Sequence, residues 1–335
     1  WKCTLSDMIQ DCREKLGHKL DGCRLVGSIY ELTRTGKAFV HLEGRGGQFL
    51  LKTGLDTVND EKLSNHSEWL RKLHTGSSNR LRKLIPELVC SGTINKHRYY
   101  CESYISKAVC AEKFVGQAGI RSKLVREASE VLVEFHTDRG RTVKIEEPLF
   151  EAKFRKPLLE VGKWLTRAEK TDYYAWFQTV EAWLFDLLAG REFLLVPRHG
   201  DFVPNNCLVD PESFKLCAIL DWEMAEQDDL PLLDLITYLG RAYRPVMKKE
   251  YDVLETSVEK VAFPGYPEKF LSGEIQELMF CYMDSVGLHR LFMGPLLFMW
   301  WVKHIQEWLP FYRFQDAWRK EHALPFLASR MRGLV

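Results

Sequence analysis

The chain has 335 residues, 46% of them hydrophobic and 28% charged, the balance of a globular protein rather than a disordered or fibrous one. Forty-seven basic residues face forty-six acidic ones, so the net charge of +1 excludes a global basic footprint for nucleic acid. Aromatic residues make up 12% of the chain.

In chain order, residues 4–18 form a helical pattern with Leu5, Met8, Ile9 and Cys12 on one face. Three short strand-like runs follow at 23–29, 37–43 and 48–52, separated by turn signals at 30–36 and 44–47. Residues 59–74 place Leu63, Trp69, Leu70 and Leu73 at helical spacing. Two more strands are predicted at 88–92 and 97–105. Beyond Ser106 helical signals dominate, with long periodic segments at 124–137 and 173–188 and from 232 onward. Short apolar runs at 193–196, 207–209 and 216–220 interrupt them. The expected class is α+β with two lobes. Residues 1–105 make a small antiparallel β lobe with one inserted helix, and 106–335 make a larger, mainly helical lobe. The hinge falls near Ser103–Lys107.

Nine cysteines are scattered without a C-x-x-C pair, so the spacing signals neither a zinc site nor a dithiol redox motif. They read as small buried hydrophobes of a reducing compartment. Residues 1–20 are charged throughout and suggest no secretory leader. The longest apolar run, 291–302, is too short to span a bilayer. The expected location is cytoplasmic, with no membrane or nucleic-acid partner.

The chemistry concentrates between 191 and 240, where ten acidic residues meet three basic ones. Asp201 is followed five residues on by Asn206, and Asp221 ends an apolar strand-like run. An Asp, an Asn at that spacing and a later strand-end Asp are the layout of a phosphoryl-transfer site. The first carboxylate takes or orients the proton of an attacking hydroxyl. The amide oxygen and the second carboxylate are hard ligands suited to Mg²⁺. Such a site needs an upstream lysine for the nucleotide phosphates, and Lys52 closes the third strand-like run.

The segment HGDFVPNNCLVD followed by AILDWEMAEQDDLPLLDL resembles the aminoglycoside phosphotransferase-like and choline kinase-like superfamily, a protein-kinase-like fold. The resemblance implies Asp201 as catalytic base, Asn206 and Asp221 as Mg²⁺ ligands, and Lys52 on the phosphates of ATP or GTP. It implies supporting roles for His199, Glu223 and Asp234. It also implies adenine recognition by backbone groups near Glu102–Ile105, with Glu102 and Tyr104 as the cofactor-binding residues. The family helix normally offers a Glu to the lysine; aligned on Leu70 and Leu73, His66 occupies that position, with Glu61 and Glu68 nearby, so either the helix register differs or Lys52 lacks its usual partner. The sequence thus points to an ATP-dependent kinase of a small-molecule hydroxyl, on a sugar, aminosugar or amino alcohol. The alternative, motivated by His66, is a non-catalytic nucleotide-binding or regulatory module. The aromatics of 298–318, with Trp176 and Trp183, are expected mainly as core between helices. A sharper reading puts one or two of them in the acceptor pocket.

Overall fold

A computed structural model describes residues 2–17, 24–25, 31–32, 37–44, 46–169, 173–243, 245 and 273–308. In chain order its elements begin with α1 (Lys2–Leu16), β1 (Arg24–Leu25), β2 (Glu31–Leu32), β3 (Lys37–Gly44), β4 (Gly47–Gly54), α2 (Thr57–Gly76) and α3 (Asn79–Lys83). They continue with β5 (Leu88–Ile94), β6 (His97–Ser103), β7 (Val109–Cys110), α4 (Ala118–Arg139), β8 (Arg141–Lys144) and α5 (Glu147–Phe150). Next are α6 (Lys156–Glu169), α7 (Tyr173–Leu188), β9 (Glu192–Arg198), β10 (Cys207–Val209), β11 (Leu216–Ile219) and β12 (Glu226–Asp229). The last are α8 (Leu233–Tyr243), α9 (Gly273–Ser285) and α10 (Met293–Trp308). The α+β class is as expected.

The chain packs into two compact units that a single cut at 105/106 does not reproduce. Residues 1–138 and 199–226 form one, and 139–198 with 227–335 form the other. The first unit therefore gathers both the amino-terminal sheet and the stretch from His199 to Glu226.

In the first unit an antiparallel sheet runs β1-β3-β4-β6-β5, with β2 also on β3. Alternation along β3 and β4 buries Val40, Leu42, Phe49 and Leu51 on the face that α1 covers with Leu5, Met8, Ile9 and Cys12. The opposite face carries Lys52. Helix α2 starts where Asp56 caps it, accepting from the Asn59 N–H at 2.8 Å. It buries Leu63, Trp69, Leu70 and Leu73, the stripe read from its spacing, and His66 with them. A second small sheet, β11-β10-β7, follows and flanks the loop 199–206.

The second unit has the sheet β12-β9-β8 and the helices α5 to α10. Helix α6 contributes Leu158 and Val161 to its core, and α7 contributes Trp176, Phe177 and Val180. Trp300 and Trp301 are 5% and 2% exposed, which places both in packing rather than in an open wall. Trp300 donates to Thr237 Oγ1 at 2.8 Å, and Trp301 stacks on Phe298. The aromatics expected at 311–318 lie outside the described residues.

Candidate active site

The loop 199–206 leaves β9 and enters β10, and local hydrogen bonds fix its shape. Asn206 Nδ2 donates to the Asp201 carbonyl at 2.9 Å and to Asp201 Oδ2 at 2.8 Å. With its amide donors spent there, Asn206 keeps Oδ1 as an acceptor. Leu220, the residue after β11, clamps the loop. Its N–H donates to the Asn206 carbonyl at 2.8 Å, and its carbonyl accepts from His199 Nε2 at 2.8 Å. The other ring nitrogen of His199 accepts from the Asp201 N–H at 3.2 Å. Burial holds His199 down to about 4, so the ring is neutral, as this pattern requires.

Two backbone positions are special. Gly200 has φ +86, and a Cβ there would sit 2.3 Å from the Met224 carbonyl oxygen, so only glycine fits. Asp221 itself is left-handed, φ 67 and ψ 56, a costly conformation for a side-chain-bearing residue and one that collects at functional sites. Burial pushes the Asp221 carboxyl upward, but the ammonium groups of Lys37 and Lys52 outweigh it and hold the group below its usual range. These two strand lysines thus reach the carboxylate electrostatically across more than 160 residues of sequence.

Lys52 is buried, 6% exposed, and pairs with Glu102 at 2.6 Å. Glu102 also accepts from His66 Nε2 at 2.9 Å, while His66 Nδ1 accepts the Trp222 N–H at 3.1 Å. Desolvation and the Lys52 charge keep His66 neutral, which fits one donor and one acceptor nitrogen. Burial opposes the Glu102 charge, yet Lys52 and the His66 hydrogen bond hold its carboxyl below the usual range. The sequence left Lys52 without its customary helix partner. The partner is supplied instead by the neighbouring strand, where Leu50 of β4 lies opposite Glu102 of β6. His66 keeps the helix position and acts through Glu102.

At the expected hinge, the structure shows what two of its residues contact. The Glu102 side chain is 2% exposed and serves Lys52, a role that backbone recognition does not anticipate. The Tyr104 N–H donates to the Gln48 carbonyl at 2.9 Å, so that group is spent within the sheet. Its ring, 40% exposed, meets His41 edge-on.

Glu223 is ion-paired with Lys37, a residue the sequence reading did not single out. Burial and the adjacent Asp221 charge raise the Glu223 carboxyl to about 7. Asn65 Nδ2 donates to the Glu223 and Ala225 carbonyls at 2.8 and 3.0 Å, and Trp69 Nε1 reaches Ala225 at 3.0 Å. Helix α2 thereby grips the segment that follows Asp221. Asp234 belongs to the second unit, in the first turn of α8, with its carboxylate 3.9 Å from Arg198 Nε.

The phosphotransferase enzyme family (APH) matches residues 37–253, well over half of the chain. The chain belongs to that family. Among solved structures, the aminoglycoside phosphotransferase APH(4)-Ia superposes with a TM-score of 0.56 at 13% identity, covering 97% of this chain and 99% of that one. A thermostable mutant of the same enzyme, in a ternary complex with ADP and hygromycin B, gives 0.56 at 14% identity over 96% and 97%. At such identity the likeness establishes the kinase-like fold. No curated protein matches the chain at a significant level. Among the described residues no helix is long and apolar enough to cross a membrane.

Proposed function

We propose that this phosphotransferase moves the terminal phosphoryl group of ATP, or of GTP, to a hydroxyl of a small molecule such as a sugar, an aminosugar or an amino alcohol. The observation that carries the reading is the meeting of three functions in one unit. These are the paired lysine Lys52, the Asn206-oriented carboxylate Asp201, and the left-handed Asp221 under the influence of Lys52 and Lys37.

Asn206 Oδ1 and the Asp221 carboxylate are hard oxygen donors that fit Mg²⁺ and would hold it. When bound, the ion supplies neutralising charge to the phosphate oxygens. Lys52, kept charged by Glu102, presents its ammonium to the nucleotide phosphates. Asp201, fixed by the Asn206 amide, orients the acceptor hydroxyl and takes its proton as the oxygen attacks phosphorus. His199 and Glu223 support these groups, the first by anchoring the loop to Leu220 and the second by holding Lys37. Asp234 would brace the loop through Arg198. Backbone groups after Glu102, other than the Tyr104 N–H, would read the adenine.

The fold relative carrying ADP and hygromycin B supports a nucleotide and an aminoglycoside as first compounds to test. The test is ADP release from Mg²⁺-ATP across aminoglycosides, choline, ethanolamine, sugars, nucleosides and amino-acid alcohols. Acceptor-dependent release with phosphate found on a hydroxyl is expected. Nucleotide binding without turnover over the whole panel would overturn the proposal.

A further inference from the structure

The sheet face opposite Lys52 holds a cluster that the phosphotransfer chemistry does not use. Cys12 of α1, Cys90 of β5 and Cys101 of β6 bring their sulfurs within 4.8 Å of one another, and the Cys12 and Cys90 sulfurs are 3.3 Å apart. Three elements supply one thiol each. Cys90 and Cys101 sit opposite one another in the β5–β6 register, beside an irregularity between Leu88 and Cys90, and α1 lowers Cys12 onto them. Cys12 precedes the family-matched region, so this arrangement draws on a helix that the family pattern does not include.

Buried cysteines are common as packing atoms, and Cys12 and Cys101 are each fully buried in the apolar core. Packing alone needs no convergence of three sulfurs from separate elements. Thiolates bound to one zinc-sized cation at about 2.3 Å stand about 3.8–4.0 Å apart, within the range these sulfurs already span. Cys90, half-buried, offers a way in. The surroundings also carry the right charge. Three thiolates around a divalent or monovalent cation leave net negative charge. The Lys15 ammonium stands beside them, 3.1 Å from the Ser91 carbonyl and 3.1 Å from the Tyr99 hydroxyl, and 2.7 Å from Asp11. Asp11, Ser91 and Tyr99 lie within two residues of the three cysteines, as outer partners of a metal site commonly do. Gly92 keeps that corner open, since a Cβ there would come within 2.6 Å of the Lys15 ammonium and the Tyr99 ring.

We propose that Cys12, Cys90 and Cys101 form a three-thiolate site for a soft d¹⁰ cation, Zn²⁺ or Cu⁺, that fastens α1 to the sheet. Soft sulfur donors select such ions over Mg²⁺, so the site is chemically independent of the nucleotide-metal ligands. The ligands are separated by 78 and 11 residues, which is why no C-x-x-C spacing announced them. Binding to the folded chain alone raises its stability by linkage.

The test uses the full chain, reduced and stripped of metal, then titrated separately with Zn²⁺, with Cu⁺ under anaerobic conditions, and with Cd²⁺ as a spectroscopic probe. One equivalent of Cd²⁺ should produce a thiolate-to-metal absorption band. Zn²⁺ or Cu⁺ should compete that band away, and the competing ion should raise the thermal midpoint. Cys90→Ser, at the half-buried position, should lose the band and weaken binding by at least about tenfold. A measurement on the unaltered chain removes dependence on the variant's folding. The bound ion should slow alkylation of Cys90 while the exposed Cys281 reacts at an unchanged rate. Unchanged Cys90 alkylation, or a full-strength band in folded Cys90→Ser, would overturn the proposal and would leave the phosphotransferase reading untouched.

Discussion

The contact between Lys52 and Glu102 shows how a side-chain role depends on strand register. Asp201, Asn206 and Asp221 were legible because their spacing reflects a local loop and a strand end. The service of Glu102 to Lys52 was not, because it depends on which residue of β6 lies across from β4, and no short motif records that pairing. Distance in sequence likewise hid Lys37, whose partner Glu223 is 186 residues away. Glu102→Gln leaves a buried ammonium unpaired, which costs on the order of 3–5 kcal/mol. Urea unfolding should register that loss, and phosphoryl transfer should fall with it. Replacing both partners by apolar residues, Lys52→Met with Glu102→Leu, should recover part of the stability and none of the activity. Equal stability of the wild type and Glu102→Gln would contradict the pairing.

Among the elements, helix α2 was read correctly because its buried stripe at 63, 70 and 73 follows the helical period, and α1 for the same reason. Strand β12 was missed. Its sequence Glu-Gln-Asp-Asp looks like a solvated acidic loop, yet it pairs with β9. There Asp229 is fully buried among Lys303, Arg198 at 3.3 Å and Lys153 at 3.7 Å. Charge compensation from distant positions overrode the local pattern, and the short polar strand β8 escaped notice in the same way. The turn at Gly200 makes an element-scale prediction. Gly200→Ala must move the loop away from Met224 or adopt a strained φ, at a cost of about 1–3 kcal/mol. Because the loop carries Asp201, turnover should drop further than the urea midpoint alone accounts for. Wild-type turnover in Gly200→Ala would show that the loop's close approach is dispensable.

At the scale of the whole molecule, buried neutral histidines set the acid side of stability. His66 and His199 are both fully buried with depressed values, His199 to about 4. The unfolded chain takes up protons near the ordinary histidine value of about 6.5 while the folded chain resists them. Their contribution is therefore complete above that pH and lost as pH falls toward the folded values. Between about pH 6.5 and about pH 5 His199 should cost of order 1–2 kcal/mol, and His66 adds to the loss in the same direction. Urea midpoints measured across that range should decline, and a flat profile would contradict the neutral assignment. The most direct test of the central claim is the turnover number of Asp201→Ala with Mg²⁺-ATP and whichever acceptor the wild type phosphorylates. The account predicts a fall of at least about 10²-fold with the fold intact, the scale expected on losing a positioned general base. Asp201→Ala working at the wild-type rate would contradict it.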